Sequence, residues 1–536
     1  MAYALRHKVF PINALPACQF VEAGIDDILW NPDVKFEAVR GYYHRIDADV
    51  LFLFSDIVIQ AEAMGADVSY SHDAMPSIRK PARHIHLPSP ARAPRMTGNA
   101  EVLRRMAREF PGRHKAALVY GPFTVAGQVA GEQAILRAVL ECPGDVLDLV
   151  GKTLGLAREY ADLLLSSGAD VLWVADPLAS LLPPDSFRRF AGEPLSRLFR
   201  IHSSGPTVLH ICGDTSHMIR DMIETGTTGI SFDQCMELPV HEDEIPGNIG
   251  IIGNLDPVEV VELSSADEVA ASVNDLAVMM GVLDNFTLST GCALPPATPI
   301  GNIASFVEEG RAALSGLAPH SRLLTPIADA VHRGERTEIP RFLSGALNHG
   351  VEPSMAFHSA LVRAVRKASA RYDAKRCFLP EVLLVVDAFY EGFKIIEPLL
   401  GLKKDRPPDV ILGTVKGDLH EIGKDLVKII LETNGIQVLD LGADVPEEQF
   451  LKAARSVKAP IVGLSVFISS ARKQLARTVA CFRSEGMSSV KILVGGAAAS
   501  PQIASQLGVY GYARDAVRAA RLVKEILKST EDGNGR

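Results

Sequence analysis

Seven short apolar runs alternate with helical patterns through the first ~320 residues, the signature of repeated βα units. They are VLFLFSD (50–56), AALVYGPF (116–123), ADVLWVADP (169–177), TVLHICGD (207–214), GISFDQ (229–234), GIIGNLDP (250–257) and FTLSTGC (286–292). Nearly every run ends in Asp, Gly, Cys or Asn. Polar residues gathered at the carboxyl ends of parallel strands are what a TIM-type barrel presents to its substrate. An open doubly wound sheet satisfies the same alternation, but seven or more units favour closure. The expected fold class is therefore α/β, led by a TIM-type (β/α)8 barrel.

From about 323 to 400 the chain nearly lacks β-branched runs and reads as amphipathic helices, with Pro353 and Pro380 at first-turn positions, where a missing N–H costs nothing. A small helical bundle is expected there. GLKKDRPPD (401–409) is a charged, proline-containing linker. Alternation then resumes with VILGTV (410–415), IQVLDLG (436–442), IVGLSVF (461–467) and VKILVGG (490–496), each followed by a helical stretch. That pattern predicts a doubly wound, Rossmann-like domain whose ligands sit at the strand carboxyl ends. The expected domains are 1–322, 323–401 and 402–536.

Composition removes several classes. A chain of 536 residues with 47% hydrophobic and 22% charged residues fits a soluble globular protein, and a net charge of -9 argues against nucleic acid or an anionic membrane as partner. The seven cysteines (Cys18, Cys142, Cys212, Cys235, Cys292, Cys377 and Cys481) are scattered and odd in number. That is no disulfide framework and points to a reducing, cytoplasmic setting in which a special cysteine is a ligand or nucleophile. MAYALRHKVFPINALPACQF has no uninterrupted apolar core of a secretory signal, and the longest uncharged stretch (492–513) is broken by glycine and proline rather than built as a membrane span.

The stretch GDLHEIGKDLV (417–427) follows the strand VILGTV. Taken alone it is either an ordinary strand-to-helix turn, capped by Asp418 with His420 incidental, or a ligand loop. Ser465 ends the strand IVGLSV, and Gly495 and Gly496 end KILVGG, all at the same edge. With LGADVP (441–446) and GYARDAVRAA, these motifs resemble the cobalamin-binding domain of methionine synthase and the methyltransferase corrinoid proteins. The resemblance implies that His420 is the lower ligand of cobalt, held by Asp418 and then Ser465. It also implies that Gly423, Gly495 and Gly496 admit the corrin and its nucleotide tail. RYDAKRCFLPEVLL (371–384) is similar to the helical cap of that family, making Tyr372 and Leu379 the side chains that cover the corrin. The family's usual phenylalanine is Tyr372 here, and Val509-Tyr510 stand where an alanine-aspartate pair is usual. Cobalamin isomerases share the histidine motif but lack the cap, which favours methyl transfer.

In the barrel segment, TVLHICGD sets His210 and Cys212 two apart on a strand, so both face one way. Alone, that pair reads more simply as a buried histidine and a structural thiol. Cys292 ends another strand, and strand ends converge on a barrel rim. Two thiolates and an imidazole make a soft, three-ligand site with an open fourth position, the pattern of catalytic zinc. These residues resemble the zinc-binding His-x-Cys…Cys of the uroporphyrinogen decarboxylase-related methyltransferases, which include the methylcobamide:coenzyme M methyltransferases. The likeness extends over SDIVIQAEAMGADV, GPFTVAGQVAG, ADPLASLLPPDSF, HICGDT, GNLDP and GCALPPATP within 20–315. It implies that His210, Cys212 and Cys292 hold a catalytic Zn2+. True decarboxylases carry an arginine-rich N-terminal segment that MAYALRHKVFPINALPA does not match, so decarboxylation is set aside. Asp56, Tyr120, Asp176, Asp233, Asn254 and Asp256 also fall at strand ends, either as substrate-orienting groups or as caps; His84 and His86 read as loop histidines.

The joined modules resemble, in this order, the bacterial chloromethane methyltransferases. The implied reaction moves a methyl group from a small donor, a methyl halide first, to protein-bound cob(I)alamin with zinc assistance. Methyl transfer from the corrinoid to a thiol, or from methylated sulfur, methoxyl or amine compounds, uses the same ligands. A non-catalytic corrinoid carrier is the alternative class. Implied partners are a second methyltransferase, with tetrahydrofolate as one acceptor, and a reductive activator of the corrinoid.

Overall fold

Eight parallel strands build the first sheet: β1 (Val9–Ile12), β2 (Val50–Leu51), β3 (His114–Tyr120), β4 (Val171–Ala175), β5 (Thr207–Ile211), β6 (Gly229–Phe232), β7 (Gly250–Leu255) and β8 (Phe286–Ala293). The computed structural model describes residues 4–202, 205–400, 407–433, 436–487, 489–513 and 516–533. From β2 to β8 each strand pairs with the next in chain order, and β8 pairs with β1. The two ends, β1 and β2, meet where the Asp49 N–H donates to the Val9 carbonyl at 3.0 Å. The sheet is a near-closed TIM-like barrel.

Two details differ from the periodicity. VLFLFSD pairs only over Val50–Leu51, although residues 50–56 are buried throughout. The eighth strand, β1, is the short VFPI, which the apolar-run criterion passes over because Pro11 cannot donate to a ladder. The register between β1 and β8 shifts between Phe10 and Ile12, around that proline.

The barrel interior is closed by aromatic rings. Phe10 on β1, Phe52 just after β2 and Trp173 on β4 meet edge-on or tilted, with centroids 5.1 to 6.1 Å apart, and all three are fully buried. Because β1 and β4 are not neighbours, the Phe10–Trp173 contact crosses the interior. Trp173 therefore points inward, and so do residues two further along β4 and their lateral partners. Ala175 pairs with His210, and His210 with Ser231. His210 thus stands above the aromatic layer, toward the carboxyl rim.

The chain divides into two compact units, Met1–Phe389 and Tyr390–Arg536. Helices Ser321–His332 and Ile339–Asn348, an almost unbroken helical run over 353–373 ending in α1 (Arg363–Asp373), and most of α2 (Leu379–Ile396) belong to the first unit. Buried charges tie α1 to the barrel. Arg363 donates to both Glu242 oxygens at 2.7 Å and to the Met279 carbonyl at 2.6 Å, and Lys367 reaches Glu242 and Asp243 at 2.7 Å. Arg363, Lys367 and Glu242 have side chains only 4–5% exposed. Arg371, farther along α1, meets Asp243 at 2.8 Å where water reaches.

The second unit carries a five-stranded parallel sheet: β9 (Val410–Thr414), β10 (Val438–Asp440), β11 (Ile461–Ser465), β12 (Lys491–Gly495) and β13 (Gly511–Ala513), ordered β10-β9-β11-β12-β13. The three-residue β13 adds a fifth strand to the four expected from the apolar runs. In this order the chain reverses direction across the sheet between β9 and β11, the switch point at which such folds open a ligand crevice.

Burial decides what each latch contributes. Arg363→Met would leave Glu242 with one buried cation instead of two and the Met279 carbonyl without its donor. The expected loss is about 3 kcal/mol, against at most about 1 kcal/mol for Arg371→Met at the wet end. Urea unfolding followed by the emission of buried Trp173 measures both; equal losses would mean that burial does not set the strength of the latch.

Candidate functional sites

The loop after β9 is folded around one carboxylate. Asp418 has a fully buried side chain. Its Oδ1 accepts the His420 backbone N–H at 3.1 Å and faces the ring Nδ1 at 2.7 Å. Its Oδ2 accepts the amides of Phe467 and Ile468, just past β11, at 2.5 and 3.0 Å. Asp418 thus joins the two strands that flank the switch point. Burial alone would raise its pKa, but the Phe467 amide, the His420 ring and the Ile468 amide outweigh it and hold the carboxyl below its ordinary value. An ionised Asp418 makes Nδ1 the protonated ring nitrogen, which leaves the Nε2 lone pair free.

His420 itself is 42% exposed, anchored from below yet open above. Its ring stacks on Phe467 at 4.3 Å between centroids and 25° between planes. Phe467 is not foreshadowed by the motif; its signal is its position two residues past the Ser465 strand end. Ser465 gives its carbonyl to the Val415 N–H at 3.1 Å, and the second Asp418 oxygen is occupied by the amides beyond it. Among the described residues, a Cβ on Gly423 would meet nothing within 4 Å. Gly496 is different: its φ is +101°, and a Cβ would collide with the Val466 backbone. A Cβ on Gly495 would lie 3.0 Å from the Ala513 carbonyl. Tyr372 is half-buried on α1, and the side chain of Leu379 lies outside the described residues.

In the barrel, His210 on β5, Cys212 one residue beyond that strand and Cys292 on β8 come together. Their ligand atoms all lie within 4.8 Å of one another. The Cys212 Sγ is 3.3 Å from His210 Nε2 and 4.0 Å from Cys292 Sγ. Ligands at ordinary zinc bond lengths in a tetrahedron stand about 3.6 Å (S···N) and 3.8 Å (S···S) apart, so the donor set fits such an ion. The other imidazole nitrogen, Nδ1, meets the Ser231 hydroxyl at 3.0 Å; Ser231 is fully buried. Ser231 is missing from the sequence-based set, although it stands at the height of His210 on the next strand. Cys292 is held below the ordinary thiol range by the hydrogen bond from Cys212 and by His210. Cys212 is pushed up by that same bond and by burial.

The remaining strand-end residues have structural partners. Asp56 forms a buried ion pair with Arg95 and accepts the Val58 N–H at 3.1 Å. Asp256 caps Pro257–Glu262 through Val258 and Glu259. The Asn254 amide staples the Asp233 and Met236 carbonyls, and Asp233 accepts from Cys235 N–H at 3.0 Å. Asp176, fully buried, takes the amide and hydroxyl of Thr124 on one oxygen, while its other oxygen has no hydrogen-bond partner among the described residues. Burial pushes its pKa up to about 6. Tyr120 is a buried phenol beside Asp56 and Cys292, its pKa pushed well up by burial. His84 and His86 are exposed in a loop. Among the described residues, no helix is long and apolar enough to cross a membrane.

Comparison with known proteins agrees with both halves. The family model described as uroporphyrinogen decarboxylase (URO-D) matches residues 19–313, more than half of the 536-residue chain. Two B12 binding domain models match 323–397 and 408–521. The dimethylamine corrinoid protein of Methanosarcina barkeri is 30% identical over 208 residues, 38% of this chain and 97% of that protein. The methanol–corrinoid protein of Methanosarcina barkeri strain Fusaro is 31% identical over 218 residues, 40% and 83% of the two chains. A methyltransferase from Methanosarcina mazei shares the fold, with a TM-score of 0.53 and 21% identity over 57% of this chain and 94% of that one. The chain belongs to the uroporphyrinogen decarboxylase (URO-D) family, its barrel fused to the B12-binding domains of the corrinoid proteins.

Proposed function

We propose that the chain is a corrinoid- and zinc-dependent methyltransferase that takes a methyl group from a small donor onto cobalamin held by its own C-terminal domain. The carrying observation is the convergence of His210, Cys212 and Cys292 at the rim of a barrel whose chain continues into B12-binding domains. A bare carrier has no use for two thiols and an imidazole gathered within bonding reach of one ion. Residues 1–322, 323–401 and 402–536 are the working divisions in this reading.

The chain's own groups then have definite tasks. Asp418 holds the Nδ1 proton of His420 and keeps Nε2 available as the lower ligand of cobalt. Phe467 limits rotation of that ring by stacking on it. Gly423, which no described residue crowds, and the 75% exposed Leu419 suit an approaching corrin face. Covering the corrin falls to Tyr372 and Leu379, and admitting its tail to Gly495 and Gly496, with Ser465 supporting the histidine loop. In the barrel, His210 and the two thiolates hold zinc, and Ser231 fixes the tautomer of His210. When bound, the corrinoid supplies a cobalt nucleophile for the methyl carbon and the zinc a Lewis acid for the leaving atom. A methyl halide such as chloromethane is the first donor in this reading, as in the bacterial chloromethane methyltransferases that the joined modules resemble. The methyl then passes to a second methyltransferase, with tetrahydrofolate as one acceptor, and a reductive activator keeps the corrinoid competent. Seven scattered cysteines, an odd number, suit a reducing, cytoplasmic setting.

A single-turnover assay with reduced, cobalamin-loaded protein tests the direction and the donor. Chloromethane, methanol, dimethylamine and a methyl thioether form the panel, since the relatives carry dimethylamine and methanol in their names. Chloromethane is expected to methylate the cobalt. If no donor does so, while the methylated protein loses its methyl to a thiol, the barrel works in the thiol direction instead. Metal analysis is expected to find one zinc per chain, with Cys292→Ala losing it and reducing turnover at least about 100-fold. Full activity in Cys292→Ala would return the chain to the carrier class.

The low pKa of Asp418 makes a separate prediction. Its contribution to stability is fully present above the unfolded aspartate value of about 3.9 and disappears as pH falls through the lower native value. The stability gap between wild type and Asp418→Asn should therefore be constant from about pH 6 to 8 and close in acid. Urea titrations across that range measure it, and a gap that persists undiminished at the acid end would contradict an ionised Asp418.

A further inference from the structure

Directly after Gly423, on α3 (Ile422–Thr433), stands a lysine with no task in the mechanism above. The side chain of Lys424 is only 1% exposed. A buried ammonium is costly unless it is paired. Lys424 meets Asp425 Oδ1 at 2.5 Å and both oxygens of Asp440 at 2.7 and 2.8 Å. Burial opposes the charge, but these hydrogen bonds prevail and hold its pKa above the ordinary lysine value.

Asp440 is the last residue of β10, and its Oδ1 also accepts the Gly442 N–H at 2.9 Å. The turn that follows is sewn onto the loop carrying His420. The Thr414 N–H donates to Gly442 O at 2.9 Å, and the Val445 N–H returns to Thr414 O at 2.9 Å. The Asp444 N–H donates to Asp418 O at 3.0 Å, and the Gly417 N–H to Asp444 Oδ1 at 2.6 Å. Gly417, Gly442 and Asp444 all have positive φ, at 82°, 81° and 55°. Asp444 pays a cost there that a glycine avoids, so the turn must be held from outside. Lys424, through Asp440, is the buried charge at its root.

We propose that Lys424 is a positioning residue: by fixing Asp440 and the turn over 442–445, it sets the loop that aims the His420 imidazole at a bound corrinoid. It touches neither cofactor nor substrate. The inference rests on the reading of His420 as lower ligand, and its test is arranged so that the two fail separately.

The variants are Lys424→Met alone and Lys424→Met with Asp440→Asn, which removes the ion pair but keeps a side-chain oxygen for the Gly442 N–H. Removing both charges of a buried pair is often neutral for stability, so the double variant separates positioning from folding. The first measurement uses cofactor-free full-length protein and amide hydrogen exchange. Gly417 and Asp444 are expected to exchange about tenfold faster in the double variant, while the strand interior of β11 is unchanged. The second uses the same proteins loaded with aquocobalamin, read by the visible spectrum that distinguishes imidazole-bound from water-bound cobalt, with His420→Ala as the unligated reference. Both Lys424 variants are expected to bind cobalamin but to shift partway toward that reference.

If His420→Ala leaves the spectrum unchanged, the ligand reading fails, and exchange at Gly417 and Asp444 still judges the loop. If His420→Ala shifts the spectrum while the double variant keeps both the wild-type spectrum and wild-type exchange, the positioning role is overturned. A double variant that cannot fold also overturns it, because the pair is then a stability element only.

Discussion

A parallel sheet delivers the carboxyl ends of all its strands to one edge, and both candidate sites of this chain depend on that constraint. His210, Cys212 and Cys292 come from strands far apart in the sequence, yet β5 and β8 end on the same rim and their donor atoms meet. Asp418 and Phe467 follow β9 and β11 at the edge of a second parallel sheet, and there they are hydrogen-bonded. In neither case does local sequence bring the groups together. Strand direction does, and the helices between strands enforce that direction.

What the rim supplies is position; orientation comes from satisfying buried polar groups. A buried carboxylate is costly unless its oxygens are occupied, and those of Asp418 are occupied by three backbone amides and one imidazole. The same demand that makes the loop stable therefore turns the ring. The buried charges of Arg363, Lys367 and Glu242 do similar work for the first unit, joining α1 to the barrel through contacts whose value lies in how little water reaches them.

The parts legible in the sequence were those written in short periods. Alternating apolar runs disclose the barrel and the doubly wound domain, and His-x-Cys on a strand discloses two donors on one face. Elements that break the period were not visible: β1 is four residues with a proline, β13 is three residues, and most of VLFLFSD is buried without pairing. Ser231 was missed because its relevance is lateral. Nothing in GISFDQ marks it until the register sets it beside His210. Phe467 was missed for a related reason, since it stacks on His420 from beyond another strand, and Lys424 because its partner Asp440 ends a strand that the linear motif does not include. Conversely, Asp56 and Asp256 look functional in sequence because they end strands, and the structure gives them an ion pair and a helix cap.

The two histidines carry one device in two forms. Each has Nδ1 engaged by a fully buried partner, but the partners differ: the Ser231 hydroxyl for His210 and the Asp418 carboxylate for His420. A carboxylate stabilises positive charge on the ring and makes Nε2 a stronger donor, whereas a hydroxyl mainly fixes the tautomer. On the proposed reading, two thiolates would already donate amply to the zinc that His210 helps hold, and a weaker imidazole would preserve its Lewis acidity. On the same reading His420 would be the donor that this chain offers cobalt, and its strength would be the protein's lever over that metal. The choice of serine in one place and aspartate in the other would then follow from how many other donors each metal has.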